Sequence, residues 1–65
     1  MCEASAYVIE QGQERLIMES VDIVESVDTD TWRLVGIFGD QKTVRGRIKK
    51  MNLVNHKIFF ESQGD

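Results

Sequence analysis

Turn-forming residues cut this chain into short pieces, at Gln11-Gly12-Gln13, Asp28-Thr29-Asp30, Gly39-Asp40 and Asn55-His56. The runs between them have strand length and are rich in β-branched and aromatic residues, which suit a pleated, half-buried surface. Residues 4–10 and 14–19 predict a hairpin across Gln11-Gly12-Gln13. Residues 20–27 put Val21, Ile23 and Val27 on one face, with Val24 out of step; a β-bulge or a buried strand explains that. Residues 31–38 put Trp32, Leu34 and Phe38 on one face and Val35 and Ile37 on the other, as in a central strand.

Residues 41–50 alternate cleanly. Val44, Gly46 and Ile48 face one way; Thr43, Arg45, Arg47 and Lys49 face the other. Gly46 in mid-strand predicts a sharp bend, as at a barrel corner. Residues 51–54 and 57–61 predict a last hairpin across a two-residue turn, with Asn55 tolerating the positive φ such a turn needs. The methionine, leucine, isoleucine and valine positions read as core throughout. About six or seven short strands at this spacing point to a sandwich or barrel. In 65 residues the practical form is an all-β, strongly bent, SH3-like barrel, a single domain over 1–61 with a polar tail at 62–65.

A chain of this size buries only about 60% of the surface its unfolded form exposes, so its core is marginal. Cys2 is the single cysteine, which excludes a disulfide within the chain and leaves a metal or oligomerisation as support. Open sheet edges invite pairing with a second copy, and a two-fold homodimer is the commonest result. No apolar run reaches the roughly 18 residues a membrane helix needs. Met1-Cys2-Glu3-Ala4 has neither the basic nor the apolar region of a secretory signal. A lone thiol without export signal indicates the cytoplasm. The formal net charge of −3 argues against a dedicated nucleic-acid binder.

Cys2 is the first candidate for chemistry. A small second residue normally allows removal of Met1, which makes Cys2 the amino-terminal residue. Its amine and thiolate then close a five-membered ring on one metal, and the Glu3 amide nitrogen can add a second ring. Such a nitrogen-and-sulfur set suits square-planar Ni(II). The free amine and thiol have reference pKa values of about 8 and about 8.5, so binding displaces protons and weakens in acid. One chain offers too few ligands for a closed site; two copies of Cys2 at a dimer axis supply two sulfurs and two nitrogens. The other reading of Cys2 is an ordinary small residue.

His56 is the sole imidazole. It is a supporting metal ligand if the last hairpin folds next to the N-terminus, and a polar turn residue otherwise. Arg45, Arg47 and Lys49 form a cationic stripe, with Lys42 and Lys50 nearby. The stripe could track a phosphate backbone, as in small RNA-binding barrels. Equally, it reads as a solvated face paired with Glu14, Glu19 or Asp22. No aromatic residue shares its strand face. The carboxylates form no recognisable motif, and there is no Ser/His/Asp set, CxxC or phosphate-cradling glycine loop. The chain does not read as an enzyme.

The opening Met1-Cys2-Glu3-Ala4, the segment from Leu16 to Asp22, the segment from Leu34 to Lys42 and the ending from Asn52 to Ile58 together resemble the CooT family of small nickel-binding proteins. The resemblance covers most of the chain, and the Met-Cys start is its functional part. It implies a homodimeric β-domain that binds Ni(II) through Cys2 and accompanies nickel delivery to carbon monoxide dehydrogenase, a metallochaperone role. That carry-over applies to Cys2 alone. Related sequences have also been labelled predicted RNA-binding proteins, which keeps RNA binding through Arg45, Arg47 and Lys49 as the alternative.

Overall fold

Gln11 and Gly12 both take positive φ, 52° and 77°, as a tight two-residue hairpin turn requires. They join β1 (Ala4–Glu10) to β2 (Gln13–Asp28) in a computed structural model that describes residues 3–61. Cys2 and the expected tail at 62–65 lie outside the described residues. β3 (Thr31–Gly36), β4 (Gln41–Arg45), β5 (Arg47–Asn52) and β6 (Lys57–Glu61) follow.

The two strands expected at 14–19 and 20–27 are one continuous strand, β2. Ser20 adopts φ 58°, and the β1–β2 register slips between Ala4 and Tyr7. β2 spends five steps there against three in β1, and its two extra residues are absorbed as bulges that bend β2 without ending it. The irregularity expected at Val24 falls instead at Ser20 and between Val21 and Ile23.

The six strands form one sheet in the order β4-β3-β2-β1-β6-β5. Neighbours are antiparallel except β1 and β6, which run parallel from Ser5 opposite Lys57 to Ile9 opposite Glu61. Laid flat, the edge strands β4 and β5 would stand about 24 Å apart, five strand spacings. Only Gly46 separates Arg45 from Arg47, so the sheet curls until its two edges meet at that residue. No ladder joins them, and the result is a strongly bent, unclosed barrel. The bend expected at Gly46 is therefore real, but the strand expected over 41–50 is two strands on opposite edges.

Gly46 holds φ 138°, a conformation that side chains disfavour. Its N–H donates to the Asp30 carbonyl at 2.7 Å, and its own carbonyl accepts from Trp32 Nε1 at 3.1 Å. The corner is thereby tied to the end of the β2–β3 turn and to the start of β3.

Inside the curl, Ala6, Val8, Met18, Leu34, Ile58 and Phe60 form the centre of the core. On the other face Tyr7 stacks on Phe59 with ring centres 5.2 Å apart. Lys50 Nζ lies 4.8 Å over Phe59, and Lys57 Nζ lies 5.8 Å over Tyr7. These lysine stems cover an aromatic pair that would otherwise be wet. Phe59 is buried on the outer face for that reason.

β3 ends at Gly36, so Phe38 does not share a strand face with Trp32 and Leu34 as expected. It sits in the following turn, 87% exposed. That turn is held by Gly36 N–H to the Asp40 carbonyl at 2.8 Å and by Gly39 N–H to the Gly36 carbonyl at 3.0 Å. Leu53 and Val54, expected in a strand and in the core, are 74% and 86% exposed in the β5–β6 turn.

Candidate functional site

The parallel β1–β6 ladder places the start of the first strand beside the start of the last. The Ser5 N–H donates to the His56 carbonyl at 2.8 Å. The last hairpin therefore does fold next to the N-terminal strand, the condition under which His56 was expected to matter. The turn that presents His56 has four residues, Leu53 to His56, not the expected two. Asn52 Oδ1 accepts the Asn55 N–H at 3.0 Å, and the positive φ falls on His56, at 56°, not on Asn55. The Asn52 side chain thus bonds the backbone three residues on, inside the turn.

Beside His56 lies a cavity of about 300 Å³. Ala4, Val21, Val24, Met51 and Leu53 give it a mainly apolar lining, and His56 is among the residues that line it. His56 itself is exposed. Cys2, two residues before Ala4, lies outside the described residues. Among the described residues, no three of His, Cys, Asp and Glu come together as a metal-binding group. The same rim carries Leu53 and Val54. Phe38 follows close by, because the Ile37 N–H donates to the Ser20 carbonyl at 2.9 Å, next to Val21, which pairs with Ala4. The alternation of apolar residues hid these exposed side chains, since parity identifies a face only while the strand continues.

Arg45, Arg47 and Lys49 are all exposed but do not share a strand. Arg45 is on β4 opposite Thr31; Arg47 and Lys49 are on β5. Arg47 stands opposite Glu61, and Lys49 Nζ lies 3.6 Å from Glu61 Oε2. Glu61 thus takes the place of the expected partners Glu14, Glu19 and Asp22.

Residues 1–61 match the family described as the CO dehydrogenase accessory protein CooT. An uncharacterized protein of Methanocaldococcus jannaschii is 41% identical over 61 residues, 94% of this chain and 98% of that protein. A crystal structure from Carboxydothermus hydrogenoformans, provisionally described as CooT, superposes with a TM-score of 0.84 at 35% identity. The match covers 97% of this chain and all of that one. The all-β architecture and the resemblance read from the sequence are both upheld. The family is one of accessory proteins and not of enzymes. This chain belongs to the CooT family of CO dehydrogenase accessory proteins.

Proposed function

We propose that this chain is a cytoplasmic, homodimeric nickel carrier that loads Ni(II) through Cys2 and serves the maturation of carbon monoxide dehydrogenase. Nickel here is cargo, held by the Cys2 thiolate and amine once Met1 is removed. The observation that carries the reading is the hydrogen bond from the Ser5 amide to the His56 carbonyl, which sets the sole histidine of the sequence beside the start of β1. Two peptide units separate Cys2 from Ala4, so covalent reach alone keeps Cys2 within about 7 Å of it. Thiolate, amine and imidazole form a donor set suited to a late divalent metal. Among the described residues no other histidine exists and no carboxylate cluster competes.

A second copy fits the same rim. Phe38, Leu53 and Val54 are large apolar side chains left to solvent, and two-fold pairing through them would bring two Cys2 residues together. The family's description as a CO dehydrogenase accessory protein supports partnership with the dehydrogenase.

Ni(II) titration of untagged protein, followed by ultraviolet absorption, tests the reading beside Cys2→Ser. Mass spectrometry of the same sample establishes that Met1 is absent. A thiolate-to-nickel charge-transfer band saturates at a fixed ratio to dimer and vanishes in the variant. Unchanged nickel affinity in Cys2→Ser would remove Cys2 as the ligand.

A further inference from the structure

Residues 41–52, the two edge strands with the corner between them, hold Lys42, Arg45, Arg47, Lys49 and Lys50 and no carboxylate. That stretch carries +5, so the rest of the chain carries −8 to give the net −3. An acidic protein therefore has a cationic seam along both free edges of its sheet.

On the β4 side the seam opens into a cleft of about 380 Å³. One wall is the run Lys42 to Arg45, four consecutive residues. Side chains alternate across a strand, so a cleft that touches four in a row follows the strand's edge and not one of its faces. The opposite wall comes from the β1–β2 hairpin. Val8 and Ile17 make it apolar, and Arg15 adds a cation that Glu10 binds at 3.3 Å. Lys42 and Arg45 have no ion-pair partner among the described residues. β4 pairs only with β3, which leaves the backbone groups on its other side without a strand.

We infer that this cleft receives an extended acidic segment of a partner protein, added as a strand along β4. The added backbone satisfies the free edge, and its carboxylates meet Lys42 and Arg45. Alternate apolar side chains reach Val8, Ile17 and Val44. Cations along both edges repel the edges of other copies, while an acidic strand is attracted, so the same charges select the partner. The observations favour protein over RNA. Phe59 is buried under Lys50 and stacked on Tyr7, which leaves no open aromatic platform for bases beside the seam. The inference rests on the cleft and is independent of nickel binding.

The test is a nuclear magnetic resonance titration of the labelled, untagged protein. The probes are a short peptide alternating glutamate and valine, the same peptide with glutamine for glutamate, the glutamate peptide with alternate backbone amides methylated, and an oligouridylate. The expected result is saturable shifts in Gln41 to Arg45 and in Val8 to Ile17 with the glutamate peptide alone, weakening as salt rises. Lys42→Gln with Arg45→Gln should bind about tenfold more weakly while its Ni(II) titration is unchanged. Should the double variant fail to fold, Lys42→Gln alone shows a smaller loss in the same direction. Equal binding of the glutamine or methylated peptide, stronger binding of the oligouridylate, or no shift along β4 would each overturn the inference.

Discussion

Phe60 and Phe38 carry the same side chain in opposite surroundings. Phe60 is 0% exposed in β6, flanked by β1 on one side and β5 on the other. Phe38 lies just beyond the end of β3 and meets almost no protein. The contrast extends to their regions. The middle of the sheet buries Ala6, Val8, Ile58 and Phe60, while the rim near the N-terminus leaves Phe38, Leu53 and Val54 to solvent. Hydrophobicity alone therefore does not locate the core here. Burial goes instead with a place in a strand that faces the inside of the curl, or that other side chains cover as they cover Phe59, and the turns offer neither. The middle is built for stability, and the rim leaves large apolar side chains open to solvent.

The comparison breaks most visibly at Phe60. Phe60→Ala should cost about 3–5 kcal/mol, read from the urea midpoint, a large share of what so small a domain has. A loss below about 1 kcal/mol would show that the middle is not the core. Gly46→Ala comes next, at about 1–3 kcal/mol, because a side chain is forced to adopt the φ of 138° at the corner. Trp32→Phe keeps the ring packed near Phe60 but loses the Nε1 bond to the Gly46 carbonyl, and should cost about 1 kcal/mol. The smallest effect belongs to Phe38→Ser, within about 0.5 kcal/mol of the parent monomer. Sedimentation of that variant sharpens the contrast, since a weakened dimer with an unchanged monomer assigns Phe38 to the rim contact.

Local features of the fold were legible because local chemistry dictates them. Gln11-Gly12 announces a tight hairpin, and a mid-strand Gly46 announces a corner. The merging of two predicted strands into β2 was not legible, because it depends on Ser20 taking a positive φ that serine rarely adopts. Nor was the exposure of Leu53 and Val54, which follows from Asn52 bonding the Asn55 amide and ending the strand early. At the candidate site, Cys2 and His56 could be named from their types, but the place of His56 beside the start of β1 depends on a pairing between the first and last strands that no local pattern encodes. The cationic stripe failed as a single face for the opposite reason: the bend at Gly46, itself foreseen, sends its two halves to different edges.

The parallel pairing of β1 with β6 also sets an order in time. As the chain leaves the ribosome, β1 can close its hairpin with β2 at once, but its other partner lies some fifty residues behind and is made last. Until then the carbonyl that will accept the Ser5 amide does not exist, and β1 has only one neighbouring strand. Through that interval one edge of β1 is open to any other strand, and completion of β6 closes it.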